Sequence, residues 1–282
     1  MHLIAQKLKH QNNIKWLADF RDPWSDLYYN KDFKQRSFAK NKNRKLEESV
    51  LKNADCILTV SSTLQQEFYK IAKRVAVITN GFDDEFLDSK KVILDTSFSI
   101  SYIGLLPKQS NPSLLFKVLK RLCQENLAFK NDLQINFIGD ISEEVKAEIE
   151  ANSLAKNTNF IGYVSHQEAI VYQKKSQVLL LLIPDVKNNK GILTGKLFEY
   201  LTAKRPILAI GPEEGELSTI LTETNAGVVI NFDAEAKLEF QIRELYQKFR
   251  EGKLIVNATN IQKYHRKELT KNLAFLLKSL NS

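Results

Sequence analysis

Val178-Leu179-Leu180-Leu181-Leu182-Ile183 is an unbroken apolar run, ended by Pro184. Nothing in it alternates, so neither face of an extended chain built from it can meet water. Such a run reads as a strand buried on both faces, the kind found in parallel sheets. That strand needs helices on both sides, which narrows the fold to an α/β class. A polar loop follows, and Thr194-Gly195-Lys196 then opens a helix. Thr194 is a good N-cap residue, and Gly195 lets a ligand approach the backbone. The free N–H groups of the first turn, the positive end of the helix dipole and the Lys196 ammonium all favour an anion there.

On a helical wheel Leu197, Tyr200 and Leu201 share the face that packs on the sheet, and Glu199 lies on the side of Lys196. One turn inside an anion-binding helix start, a carboxylate is placed to accept hydrogen bonds from ribose or sugar hydroxyls. The same residues have a plainer reading. Thr194 only caps, and Lys196 and Glu199 form an exposed i,i+3 pair worth about 0.2–0.5 kcal/mol. Taken alone, this stretch allows both.

Regular alternation surrounds it. Strands are expected over residues 100–104, 133–138, 159–161, 207–210 and 228–231, with helices over 113–124, 143–151, 167–175 and 216–224. This order means a parallel, doubly wound sheet with right-handed crossovers. Helices over 234–250 and 260–280 close the chain, the last with an apolar stripe of Leu269, Leu273, Leu276, Leu277 and Leu280. Upstream, residues 1–10 have helical spacing, and a strand over 14–20 runs into Arg21-Asp22-Pro23-Trp24. A basic, then amphipathic helix is expected over 31–53, with Lys31, Lys34, Arg36, Lys40, Lys42, Arg44 and Lys45 in its first half. A strand over 56–60, a helix over 62–72 capped by Ser61 or Ser62, and a strand over 75–78 ending at Thr79-Asn80-Gly81 follow.

Residues 82–96, polar and acidic, read as the connection between domains. The expected layout is a first Rossmann-like domain in 1–95, a second in 96–258, and a helix in 259–282 that crosses back to the first. The first domain offers only about three strands, where a doubly wound domain usually has about five or six. The chain is therefore expected to be truncated at its front.

A formal charge of +8 points to an acidic partner: a nucleotide, a phosphorylated substrate, an anionic membrane surface or nucleic acid. Nucleic acid has the least support, because no zinc spacing, RNA-recognition motif or helix-turn-helix signature is present. Cys56 and Cys123 sit in apolar patterns and read as buried thiols of a reducing compartment. The longest apolar run is far too short to span a bilayer, and residues 1–10 lack a signal-peptide core. A cytoplasmic location is expected.

Several motifs together carry a resemblance. Asp19-Phe20-Arg21-Asp22-Pro23-Trp24, residues 99–104 with Asn111-Pro112, Phe137-Ile138-Gly139-Asp140, Gly162-Tyr163-Val164-Ser165-His166, and residues 190–201 resemble the retaining glycosyltransferases of family 4. The likeness is closest to bacterial cell-surface polysaccharide transferases and covers essentially the whole chain. It implies the GT-B fold of two Rossmann-like domains, with 1–95 as an incomplete acceptor-side domain. Family members usually carry a further N-terminal half-domain. The implied reaction moves a sugar, with retention, from a nucleotide-diphosphate sugar to a saccharide or lipid-linked acceptor. The donor is a co-substrate, and no other cofactor is implied. A metal is not implied either, and the chain has no Asp-x-Asp motif.

The resemblance also assigns residues. Gly104 lies on the loop beneath the donor, Lys108 near the diphosphate, and Gly139 on the neighbouring strand end. Tyr163 borders the base, Thr194, Gly195 and Lys196 hold the diphosphate, and Glu199 takes the ribose hydroxyls. Asp19, Arg21 and Asp22 face the acceptor and the transferred sugar. Lys108 and Lys196 stabilise the departing diphosphate. Two positions depart from the family pattern: Gly191 replaces an acid eight residues before Glu199, and Ser110 replaces an Arg before Asn111-Pro112.

Each assignment has a structural counterpart. Lys108 reads equally as a solvated loop lysine, Tyr163 as packing at a strand end, and Gly104 and Gly139 as residues that permit tight turns. Arg21 pairs with either Asp, and His166 reads as a cap or core contact. The basic helix over 31–45 suits an anionic membrane, at about 1 kcal/mol per Lys or Arg near the surface, or is a solvated face. A catalytically inactive nucleotide-sugar-binding remnant, one part of a split enzyme, an epimerase and a sugar phosphorylase are the rival functions.

Overall fold

A computed structural model of the chain describes residues 1–25, 36–87 and 92–281. It divides into two units: Met1–Gly81 with Gln262–Ser282, and Phe82–Ile261. The first unit opens with α1 (His2–Asn12), β1 (Leu17–Phe20), α2 (Ser37–Asn53), β2 (Cys56–Thr59), α3 (Ser62–Phe68) and β3 (Val75–Val77). The second runs through α4 (Asp84–Leu87), β4 (Phe98–Ile103), α5 (Ser113–Glu125), α6 (Leu127–Asp132), β5 (Leu133–Ile138), α7 (Glu143–Ala151) and β6 (Thr158–Gly162). It continues with α8 (His166–Lys175), β7 (Val178–Leu182), α9 (Gly195–Tyr200), β8 (Ile207–Ile210), α10 (Glu216–Glu223), β9 (Gly227–Ile230) and α11 (Glu235–Arg250). The last helix, α12 (Arg266–Asn281), belongs to the first unit.

The first unit is a parallel sheet in the order β1-β2-β3. Its middle strand is buried along its whole length. Trp16, Phe20, Val50, Leu51 and Phe68 cover one face with Ile57, while Cys56 and Leu58 pack with Ile78 and Leu276 on the other. Leu269, Leu273 and Leu280 complete that second layer. These positions recur every three or four residues, so one helix face supplies them. Leu277, expected in the same stripe, falls at the edge of that face and is 45% exposed. Ser61 is the cap of α3, accepting from the Leu64 N–H at 3.2 Å. The basic helix begins at Ser37, and residues 31–35 of its expected first part lie outside the described residues.

The second unit is a parallel sheet in the order β6-β5-β4-β7-β8-β9. Numbered within the unit, this is the 3-2-1-4-5-6 order of a doubly wound Rossmann sheet, reversing between β4 and β7. β4, β7 and β8 are buried throughout, as central parallel strands must be, while edge strand β6 is largely exposed. The leucine run is thus one of the two strands at the reversal. Residues 82–95, read from the sequence as the tail of the first domain, belong to the second unit. Backbone hydrogen bonding explains part of this: the Asp95 N–H donates to the Lys175 carbonyl at 2.9 Å, and Gln177 Nε2 donates to the Asp95 carbonyl at 2.6 Å. Cys56 is buried and Cys123 only partly so, and both are free thiols.

Candidate functional site

β4 and β7 pair only at Ile100↔Val178 and Ser101↔Leu179, and then part. In open α/β sheets, ligands bind outside the carboxyl ends of the strands at the point where strand order reverses. The loops after β4 and β7 flank that point. The Ile103 N–H donates to the Tyr200 hydroxyl at 3.1 Å, so a side chain from α9 takes the place of a strand partner. Tyr200 is fully buried, and burial raises the pKa of its phenol, keeping it neutral.

β4 is followed by Gly104, whose φ of +120° only glycine adopts readily. A Cβ there would lie 2.6 Å from Lys196 Cε. At the end of β5, Gly139 repeats the +120° φ, and its Cβ would lie 2.6 Å from the Gly104 carbonyl oxygen. Both glycines therefore serve the turns, and together they leave a smooth backbone surface crossed by the Lys196 side chain.

Lys196 Nζ donates to the Tyr102 hydroxyl at 2.5 Å and lies 4.1 Å from that ring's centroid. Tyr102 in turn donates to the Leu105 carbonyl at 2.8 Å, tying lysine and loop together. Burial pushes the Lys196 ammonium down to about 8, and Glu199 only partly opposes the shift. The exposed Lys196–Glu199 pair is not what forms. Glu199 Oε2 instead accepts from Gln173 Nε2 at 2.9 Å, and Gln173 is 2% exposed. Tyr102 and Gln173 escaped the sequence reading, because nothing in their neighbourhoods marks a strand tyrosine or a helix glutamine as a partner of residues far along the chain.

Thr194 stands at the N-cap position of α9, yet its side chain makes no cap bond. Its hydroxyl is buried without a partner, and the first turn closes through the Leu197 N–H donating to the Thr194 carbonyl at 3.2 Å. Gly195 is exposed, and a Cβ there would meet nothing within 4 Å. Space above the backbone is therefore open. α9 has only 6 residues, so its macrodipole is weak and the local N–H groups and Lys196 carry the attraction for an anion.

Lys108 follows β4 on the short turn Lys108–Ser110, exposed to solvent. The turn is anchored by Glu148 from α7, whose Oε2 accepts from Asn111 Nδ2 and, at 2.8 Å, from Ser113 Oγ. Tyr163 is 94% exposed beyond edge strand β6, two strand spacings or about 10 Å from β4. His166 is not the cap of α8. Ser165 is, in a capping box with Glu168, while His166 Nε2 meets Glu85 Oε1 at 3.1 Å and packs edge-on against Phe86. Gly191 ends the turn Asn189–Gly191, and beside it Lys190 pairs with Glu214 at 2.7 Å.

The other sequence candidates lie in the first unit. Asp19 closes β1 with Phe20, and its Oδ2 pairs with Arg21 Nε at 3.1 Å. Arg21 Nη1 also donates to Asn80 Oδ1 at 3.2 Å. Asp22 is exposed at the start of a turn. Buried Glu47 of α2 holds that turn, accepting from the Trp24 N–H at 2.8 Å and the Ser25 N–H at 3.1 Å.

The family model described as glycosyl transferases group 1 matches residues 83–260. No curated protein matches the chain. Among solved structures, it is similar to the sucrose-phosphate synthase of Thermosynechococcus elongatus, at 13% identity and a TM-score of 0.71, over 99% of this chain and 71% of that one. It is also similar to HepE of Anabaena, solved in complex with UDP and glucose, at 14% identity and a TM-score of 0.73, over 99% and 75%. WaaG, a glycosyltransferase involved in lipopolysaccharide biosynthesis, matches at 13% identity and a TM-score of 0.63, over 89% and 74%. At these identities the likeness is one of fold: α/β, with two parallel Rossmann-like sheets as in GT-B glycosyltransferases.

Proposed function

The chain belongs to the group 1 glycosyl transferases, and from that premise we propose that it is a retaining, metal-independent family 4 enzyme. It moves a sugar from a nucleotide-diphosphate sugar to a saccharide or lipid-linked acceptor, in cell-surface polysaccharide synthesis. The observation that supports this most is the state of Lys196. Its ammonium is largely desolvated, donates to a phenol, and crosses a glycine turn at the strand reversal. A part-buried cation that Glu199 only partly offsets is unfavourable, and a diphosphate at that place supplies further negative charge.

The remaining roles follow from chemistry. As the bond between the sugar's anomeric carbon and the diphosphate breaks, charge gathers on the leaving phosphate. The backbone N–H groups of Thr194, Gly195 and Lys196 and the Lys196 side chain stabilise it, with Lys108 reaching in from the other loop. The acceptor hydroxyl joins the anomeric carbon on the face that the diphosphate leaves, and its proton passes to a leaving-phosphate oxygen. Glu199 takes the ribose hydroxyls through Oε1, because Gln173 already engages Oε2. Gly104 and Gly139 keep the backbone low beneath the donor, and Tyr163 stacks or packs at the base. Asp19, Arg21 and Asp22 serve the acceptor side. UDP-glucose is the first donor to try, since HepE was solved with it.

The donor reading is tested by calorimetry on Glu199→Ala. The loss of a charged hydrogen-bonding partner is worth about 1.5–3 kcal/mol, or about 10–150-fold in Kd. Unchanged donor affinity in a folded variant removes the assignment. The same proposal places the protein in the cytoplasm, peripheral to the membrane through exposed Lys40 and Lys42 of α2 and exposed Leu3, Ile4 and Leu8 of α1. No helix among the described residues is long and apolar enough to cross a membrane. Failure to float with anionic vesicles at low salt would remove the membrane contact.

A further inference from the structure

α8 buries Ile170 and Gln173, three positions apart on one helix face. That spacing calls for an apolar side chain at both places. Gln173 is instead an amide only 2% exposed, and a buried amide is unfavourable unless it is hydrogen-bonded. Its Nε2 donates to Glu199 Oε2 at 2.9 Å, a bond between α8 and α9 that spans 26 positions of the chain.

α8 is tied at both ends, so the amide has a fixed place. The helix starts in the capping box of Ser165 and Glu168. Just past its end, Ser176 Oγ lies 2.7 Å from Ser101 Oγ, and the Gln177 N–H donates to Ser99 Oγ at 2.9 Å. Both of those serines belong to β4.

The residue type suits the contact. A lysine here would pair with Glu199 and compete with a ligand for its charge, and a leucine would leave the carboxylate unheld. A neutral amide donates an N–H, adds no charge of its own, and leaves the second carboxylate oxygen to accept from a ligand. A free glutamate loses rotamer freedom when it binds something, whereas one held beforehand has less to lose.

We infer that Gln173 is a positioning residue: it presets the Glu199 carboxylate, and the site thereby prefers ribonucleotides to 2′-deoxyribonucleotides. This role rests on the donor reading of Glu199 given above, and adds to it a residue and a ligand class. Two vicinal hydroxyls can both donate to one fixed carboxylate, and a 2′-deoxy sugar brings only one of them. Holding the acid in place therefore favours the ribose form.

Calorimetric titration of the full chain with UDP, GDP and ADP, each beside its 2′-deoxy counterpart, tests this role. The nucleotide that binds most tightly defines a selectivity ratio, the Kd of the deoxy form over that of the ribo form. A ratio of at least ten is expected in the parent chain, and Glu199→Ala should bring it close to one. Gln173→Met keeps the length of the side chain and loses the donor. Gln173→Asn keeps the amide and draws it back by one methylene. Both should lower the ratio at least threefold, chiefly through weaker binding of the ribo form. Unfolded chain in a sample lowers the number of sites titrated and leaves the ratio alone.

A merely structural Gln173 weakens both forms alike. An unchanged ratio in either Gln173 variant, with Glu199→Ala near one, overturns the positioning role and leaves the donor reading standing. No binding of any nucleotide, a parent ratio near one, or a ratio that Glu199→Ala leaves unchanged overturns the donor reading of Glu199 and this role with it.

Discussion

Lys196 in the first turn of α9 and Arg21 just after β1 both follow the carboxyl ends of parallel strands, in the second and first units respectively, yet their charges are handled in opposite ways. Arg21 is about half exposed and comes with a carboxylate, Asp19, at 3.1 Å. Lys196 is desolvated, and its nearest acid is turned towards Gln173. An exposed paired cation is nearly neutral in energy, so a ligand gains little by meeting it alone. A desolvated unpaired cation is a standing demand for an anion.

That contrast can be broken by experiment. Lys196→Met keeps the stem and removes the charge, so the turnover rate kcat with a nucleotide-sugar donor should fall about 10²–10³-fold, as on loss of one preorganised donor. The melting temperature should hold or rise, since a desolvated charge has gone. A fall in melting temperature with unchanged kcat would reverse the contrast. Gly104→Ala comes next. It forces a Cβ onto the Lys196 stem at a φ of +120°, and about 1–3 kcal/mol of stability should be lost in a denaturant titration.

The pH dependence separates the two cations without mutation. Lys196 titrates at about 8 in the folded chain, against about 10.4 for an unperturbed lysine. Between those values the unfolded chain holds the proton and the folded chain does not, so stability of the ligand-free protein rises with pH. Donor affinity should fall over the same interval as the ammonium is lost. Parallel melting and binding curves from pH 7 to 10 check both slopes, and Lys196→Met should flatten them. The smallest effect belongs to Asp19→Asn. Breaking an exposed pair should change stability by less than about 1 kcal/mol in thermal melts, and a larger loss would mean that the first site is also built on a buried charge.

Much of this architecture was legible in residue order. Val178 to Ile183 announces a strand covered on both faces, and the alternation around it implies a doubly wound sheet. The glycines at 104 and 139 mark the tight turns. Boundaries were less legible: residues 82–95 carry no strong period, and they join the second unit through bonds of the Asp95 backbone to the Lys175 carbonyl and the Gln177 side chain, which no local pattern reports. Thr194 has the residue type of a cap but not the bond, because its hydroxyl is turned into a buried place instead.

By itself the amino-acid order determined the elements, their parallel pairing and the positions where an anion could be met, because these depend on periodicity and on the conformational limits of glycine and proline. Only the tertiary structure decided that Lys196 bonds to Tyr102 and that Glu199 is steadied by Gln173. Those contacts join residues far apart along the chain, and side-chain charge acts through distance and burial, which packing alone sets.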